Sequence, residues 1–122
     1  MTMQEQLRAL VERHHANILE QIAELGRLLR AGGAPCEAGR SLERAQSLSY
    51  QISGTAASMG FTELSAAAGQ LDDGLKALMR ETGTAAKRKE TLALLEEVRR
   101  VANATTPEMS ALYQGDLFRP RR

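Results

Sequence analysis

The sequence contains few of the residues on which several common kinds of binding site depend. It has no tryptophan, and aromatic residues make up 3% of its 122 residues. Surfaces that bind single-stranded nucleic acid stack bases on aromatic side chains, so we expect no such surface. The single cysteine, Cys36, excludes a disulfide within the chain and any metal site built from several cysteines.

Neither sign of charge is in excess. The chain has 16 Lys and Arg residues against 15 Asp and Glu residues, which gives a net charge of +1. Nucleic-acid-binding domains concentrate positive charge, so we expect no nucleic-acid partner. The apolar runs are too short to cross a bilayer, and the N-terminal residues are charged and periodic rather than signal-like. The sequence therefore predicts a cytoplasmic protein without a membrane partner.

What the sequence does contain is an abundance of helix-forming residues in amphipathic patterns. No stretch alternates with a period of two, so we expect no strand. Apolar residues recur every three or four positions in four segments, namely Met3 to Arg30, Cys36 to Met59, Thr62 to Arg80 and Ala85 to Asn103. Thr106 followed by Pro107 indicates the start of a short fifth helix that reaches about Tyr113.

These segments predict one all-α domain over residues 1–122. The expected architecture is an antiparallel up-and-down four-helix bundle with a short extra C-terminal helix. The residues expected to be most buried are Ile18, Leu25, Leu48, Ile52, Leu64, Leu71, Leu75 and Leu95. In the fourth helix, the residues expected to face the core are Leu92, Leu95, Val98 and Ala102.

Gly54 is unusual because it lies in the middle of the second helix, on the polar face and one turn after Tyr50. Glycine in a helix interior costs about 1 kcal/mol relative to alanine, so its presence needs a reason. Either another molecule approaches the backbone there, or a second helix of the same chain crosses closely. Ser53 and Ala57 extend the same low surface.

The second and third helices together resemble the histidine-containing phosphotransfer (HPt) domains. That family has a histidine, Leu or Ile two residues later, then lysine and glycine, followed by small and apolar residues at helical spacing. The positions in register here are Ile52, Gly54, Ala56, Gly60, Leu64, Ala68, Leu71 and Asp72. The resemblance extends from about Leu42 to Leu78, and it implies an HPt-like bundle that acts in a two-component phosphorelay.

Two departures from the family pattern fall on the residues that carry its chemistry. Tyr50 stands where the family has its phosphoacceptor histidine, and Ser53 stands where it usually has lysine. Phenols ordinarily ionise near pH 10 and are poor nucleophiles at neutral pH without a neighbouring base. We therefore expect no phosphotransfer at Tyr50 and no catalytic residue. We also expect no cofactor and no metal, and a protein that is not an enzyme.

The resemblance implies a docking surface for response-regulator receiver domains, with a sensor kinase as a further candidate partner. The residues predicted to form this surface are Gln46, Ser47, Tyr50, Ser53, Gly54 and Ala57. Two alternatives stay open: an active phosphotransfer protein that uses another residue, such as His14 or His15, and a purely structural bundle that binds other helices. A monomer and a weak homo-oligomer are both compatible with the sequence.

The remaining candidate residues have ordinary structural explanations. His14 lies on the apolar stripe of the first helix and is expected to be packed, whereas His15 points away from that stripe. Neighbouring residues diverge on a helix, so we expect Asp72 and Asp73 to lie on a solvated face rather than form a carboxylate pair. Cys36 lies at a helix start, and we expect it to have no redox role.

Overall fold

The chain folds into helices throughout the part that the computed structural model describes, residues 2–30, 35–80 and 85–114. The elements are α1 (Met3–Arg30), α2 (Pro35–Met59), α3 (Thr62–Arg80), α4 (Ala85–Ala104), a 3₁₀ turn (Pro107–Met109) and α5 (Ala111–Gln114). No strand occurs in these ranges. The expected boundaries of the four long helices are confirmed to within one residue, whereas the predicted fifth helix is divided into the 3₁₀ turn and α5.

The four long helices enclose one hydrophobic core. Helix α3 packs against α2 and α4, while α1 packs against the same two helices and also contacts α5. All eight residues predicted to be most buried lie in this core. The molecule is therefore a four-helix bundle. Among the described residues, no helix has both the length and the apolar character needed to cross a membrane.

The inward face of α4 differs from the prediction at one position. Leu92 is 42% exposed, and its neighbour Thr91 is buried instead. Thr91 can be buried at low cost because its hydroxyl donates a hydrogen bond to the Lys87 carbonyl oxygen at 2.9 Å. The inward stripe of α4 thus passes through Thr91, Leu95 and Val98. The expectation that Leu92 faces the core was wrong.

The turn between α2 and α3 is fixed by Gly60. Its φ of 82° lies in the left-handed region, which glycine adopts without steric cost. The Phe61 amide donates to the Ala56 carbonyl at 2.8 Å, and the Gly60 amide donates to the Ala57 carbonyl at 3.1 Å. This pair of bonds is a Schellman cap, which ends α2 and satisfies its last carbonyl groups. The predicted end of the helix at Gly60 is confirmed.

The C-terminal segment is fastened to the start of α1 and the end of α2. The buried Ser110 hydroxyl donates to the Met59 carbonyl oxygen. The Tyr113 hydroxyl donates to the Glu12 carboxylate at 3.1 Å. The Arg8 guanidinium donates to the Tyr113 carbonyl at 3.0 Å and also lies 5.2 Å from the centre of the Tyr113 ring. This segment therefore closes one end of the bundle.

Candidate docking surface

The residues predicted to form a docking surface follow one side of α2, opposite the core positions Ile52 and Ala56. Tyr50 is 66% exposed, so its projection into solvent is confirmed. Ser47, Gly54 and Ala57 are exposed, whereas Gln46 and Ser53 are half-buried. The structure thus presents most of this set to solvent.

Gly54 faces open space. A β-carbon placed on Gly54 would meet no atom of the described residues within 4 Å, apart from the neighbouring backbone of its own helix. At Gly74, by contrast, an added β-carbon would lie 2.6 Å from Cδ1 of Leu94 on α4. A close helix crossing therefore explains Gly74. No crossing by the described residues explains Gly54.

A groove runs between α2 and α3 beside Gly54. Its volume is about 540 Å³. The wall from α2 consists of Tyr50, Ser53, Gly54 and Ala57. The wall from α3 consists of Ser65, Ala66, Gly69, Gln70, Asp72 and Asp73. The residues predicted from the sequence include only the α2 wall of this groove. The sequence pattern that could have indicated the α3 wall is a set of small residues at helical spacing after the turn, namely Ser65, Ala66 and Gly69.

The floor of the groove is held by reciprocal hydrogen bonds between two serines. The Ser53 hydroxyl donates to the Ser65 carbonyl oxygen at 3.0 Å, and the Ser65 hydroxyl donates to the Ser53 carbonyl oxygen at 2.9 Å. Gly69 lies against the same point, since a β-carbon there would be 3.6 Å from Ser53 Oγ. Ser53 was expected to face a partner, but its hydroxyl is used to join α2 to α3.

Asp72 is buried, which corrects the expectation that it lies on a solvated face. The Gln46 side-chain amide donates to Asp72 Oδ1 at 2.7 Å, and Lys76 Nζ lies 3.1 Å from Asp72 Oδ2. A carboxylate can leave water when such donors replace it, which is why burial is tolerated here. Asp73, the next residue, is exposed as predicted.

The two histidines lie on α1, outside the groove. Nε2 of His15 is 2.9 Å from the Thr105 carbonyl oxygen, and the His15 ring meets the Phe61 ring edge-on at 6.0 Å. His15 is therefore engaged with other elements, contrary to the expectation that it points away from the packed side. His14 is also half-buried.

The groove brings together a phenol hydroxyl, small side chains and carboxylates. Among the described residues, no imidazole and no cationic side chain lines it. Across the part of the chain that the structure describes, no group of three or more His, Cys, Asp or Glu residues could hold a metal ion. Cys36 belongs to α2, but its side chain lies outside the described part of the structure. The expectation that it has no redox role therefore stays a prediction.

The chain has no match among protein-family models, curated proteins or solved structures.

Proposed function

We propose that this protein is an HPt-like domain that binds receiver domains of response regulators through the groove between α2 and α3. In this role it acts in a cytoplasmic two-component phosphorelay by competing for or sequestering receivers. It does not transfer phosphoryl groups itself. The proposal depends above all on the open space over Gly54.

The energetic argument starts from the cost of that glycine. Glycine at this position costs α2 about 1 kcal/mol relative to alanine. Since an added β-carbon would meet nothing within 4 Å, no internal contact of the described structure explains the glycine. A molecule that lies against the backbone of α2 does explain it. Tyr50, exposed one turn earlier, is the kind of side chain that often anchors protein interfaces.

The arrangement of α2 and α3 supports an antiparallel up-and-down bundle of the HPt kind. Ser53 contacts Ser65 near the turn, and Gln46 contacts Asp72 further from it. In an antiparallel helix pair, residues at similar distances before and after the connecting turn lie opposite each other, as these two pairs do. Short connections between consecutive long helices favour the same order for the remaining pairs.

The residues of the groove support the proposal that the protein does not transfer phosphoryl groups. A phosphoryl group in transfer carries negative charge that enzymes stabilise with cations and hydrogen-bond donors. No cationic side chain in the described part of the chain lines the groove, and Ser53, at the lysine position, donates its hydroxyl hydrogen to Ser65. A phosphotyrosine ester at Tyr50 would also be too stable to return its phosphoryl group to an aspartate.

Titration of the protein against a panel of receiver domains tests the proposal. We expect at least one receiver to bind, and Gly54→Gln to abolish that binding because its side chain fills the space over α2. The variant should retain or increase thermal stability, since glutamine suits a helix better than glycine. Ala23→Gln, at an exposed position of α1, is the matched control and should bind normally. Failure of every receiver to bind, or normal binding by Gly54→Gln, would reject the proposal.

A further inference from the structure

The groove between α2 and α3 carries an uncompensated negative charge. Asp72 and Asp73 are both in its lining, and no basic residue of the described ranges is. Lys76 forms an ion pair with Asp72, at 3.1 Å, and so offsets that carboxylate. Asp73 is exposed and has no hydrogen bond or ion pair with any described residue. Its charge is therefore available to act on whatever enters the groove.

The hydroxyl groups at the floor of the groove do not offset this charge. The hydrogens of the Ser53 and Ser65 hydroxyls are donated to each other's backbone carbonyl oxygens. The Gln46 amide donates to Asp72. An anion entering the groove would thus find a nearby carboxylate, and the two serine hydroxyls would have to break existing bonds to donate to it.

Building on the proposed docking of receivers, we propose that the groove selects the unphosphorylated form of its partner. Phosphorylation of a receiver aspartate converts a carboxylate into an acyl phosphate and adds about one negative charge. An added charge placed about 8 Å from Asp73, in surroundings close to water, would weaken binding roughly twofold at low salt. The protein thus holds receivers that await phosphorylation, and it releases them more readily once they are phosphorylated.

The experiment measures affinity for one binding receiver in two forms, unphosphorylated and carrying beryllofluoride, which mimics a phosphoryl group on aspartate. We expect roughly twofold tighter binding of the unphosphorylated form at about 50 mM salt. That preference should nearly vanish at about 500 mM salt, because exposed charges are then screened. Salt dependence separates a charge effect from a change in the shape of the receiver.

Substitutions of Asp73 test whether this residue causes the preference for the unphosphorylated form. Asp73→Asn should bring the ratio of the two affinities close to one at low salt, and Asp73→Lys should reverse the preference. Glu20→Gln removes one negative charge from an exposed position on α1 and is the matched control, for which the wild-type ratio is expected.

The outcomes distinguish the two proposals. If no receiver binds in either form, both the proposed function and the proposed preference for unphosphorylated receivers are rejected. If a receiver binds equally in both forms at low salt, or more tightly with beryllofluoride, only the selectivity is rejected. An Asp73→Asn ratio equal to that of the wild type would also reject the assignment to Asp73.

Discussion

Two glycines in the middle of helices illustrate how one residue type serves different purposes. At Gly74 the missing side chain leaves room for Leu94, so that α3 and α4 can pack closely. At Gly54 the missing side chain leaves a space that no described residue fills. The first glycine contributes to the fold, whereas the second lowers helix stability without an internal benefit.

Alanine substitution at these two positions separates the two purposes. Gly54→Ala should raise the free energy of unfolding by about 1 kcal/mol, because alanine favours the helix and its methyl group meets no neighbour. Gly74→Ala should gain less or lose stability, since Leu94 must move away from the new β-carbon. Chemical denaturation of both variants provides the measurement. A loss of stability in Gly54→Ala would show that this glycine is required for the fold.

At the scale of elements, α3 is central to both the core and the groove. One face buries an apolar stripe that includes Leu64, Leu71 and Leu75 between the neighbouring helices. Another face supplies the groove wall that carries Asp73. The burial that holds α3 in place therefore also positions the candidate docking surface.

Leucine truncation tests these facing assignments. Leu71→Ala should lower the free energy of unfolding by about 2–5 kcal/mol, because it leaves a cavity in the core. Leu92→Ala, which removes the same atoms from an exposed position of α4, should change it by no more than about 0.5 kcal/mol. Midpoints of urea denaturation would measure both effects. Similar losses in the two variants would contradict the facing of α4.

At the scale of the whole molecule, Tyr113 links the C-terminal segment to α1. The hydrogen bond from its hydroxyl to the Glu12 carboxylate raises the pKa of the phenol, and partial desolvation and the Glu12 charge add to the increase. The protonated phenol is the form that donates this bond. Loss of the proton would also place two negative charges side by side.

This linkage predicts a contribution to stability that depends on pH. Because the pKa of Tyr113 is higher in the folded state, its contribution is complete below the unfolded value of about 10. It is lost as the pH rises through the folded value. Melting temperatures of the wild type and Tyr113→Phe, compared from about pH 8 to about pH 12, should converge at the alkaline end. A constant difference between them would show that the Glu12 contact does not contribute.

The sequence by itself determined the secondary structure and most of the core. Helix periodicity and local breaks are properties of neighbouring residues, so α1 could be predicted from Met3 to Arg30 and the end of α2 from Gly60. The exposed positions of Tyr50 and Gly54 followed from the same periodicity.

Only the tertiary structure decided which side chains meet across the helices. The pairing of α2 with α3 brings the Gln46 side chain into contact with Asp72, which lies 26 residues later in the sequence. The same pairing buries the Asp72 carboxylate, which helix periodicity alone had predicted to face solvent. The same pairing adds Asp73 to the groove and directs the Ser53 hydroxyl to Ser65. Periodicity gives the face of a helix on which a residue lies. The neighbour of that face is set by how all four helices together bury the most apolar surface and satisfy their polar groups.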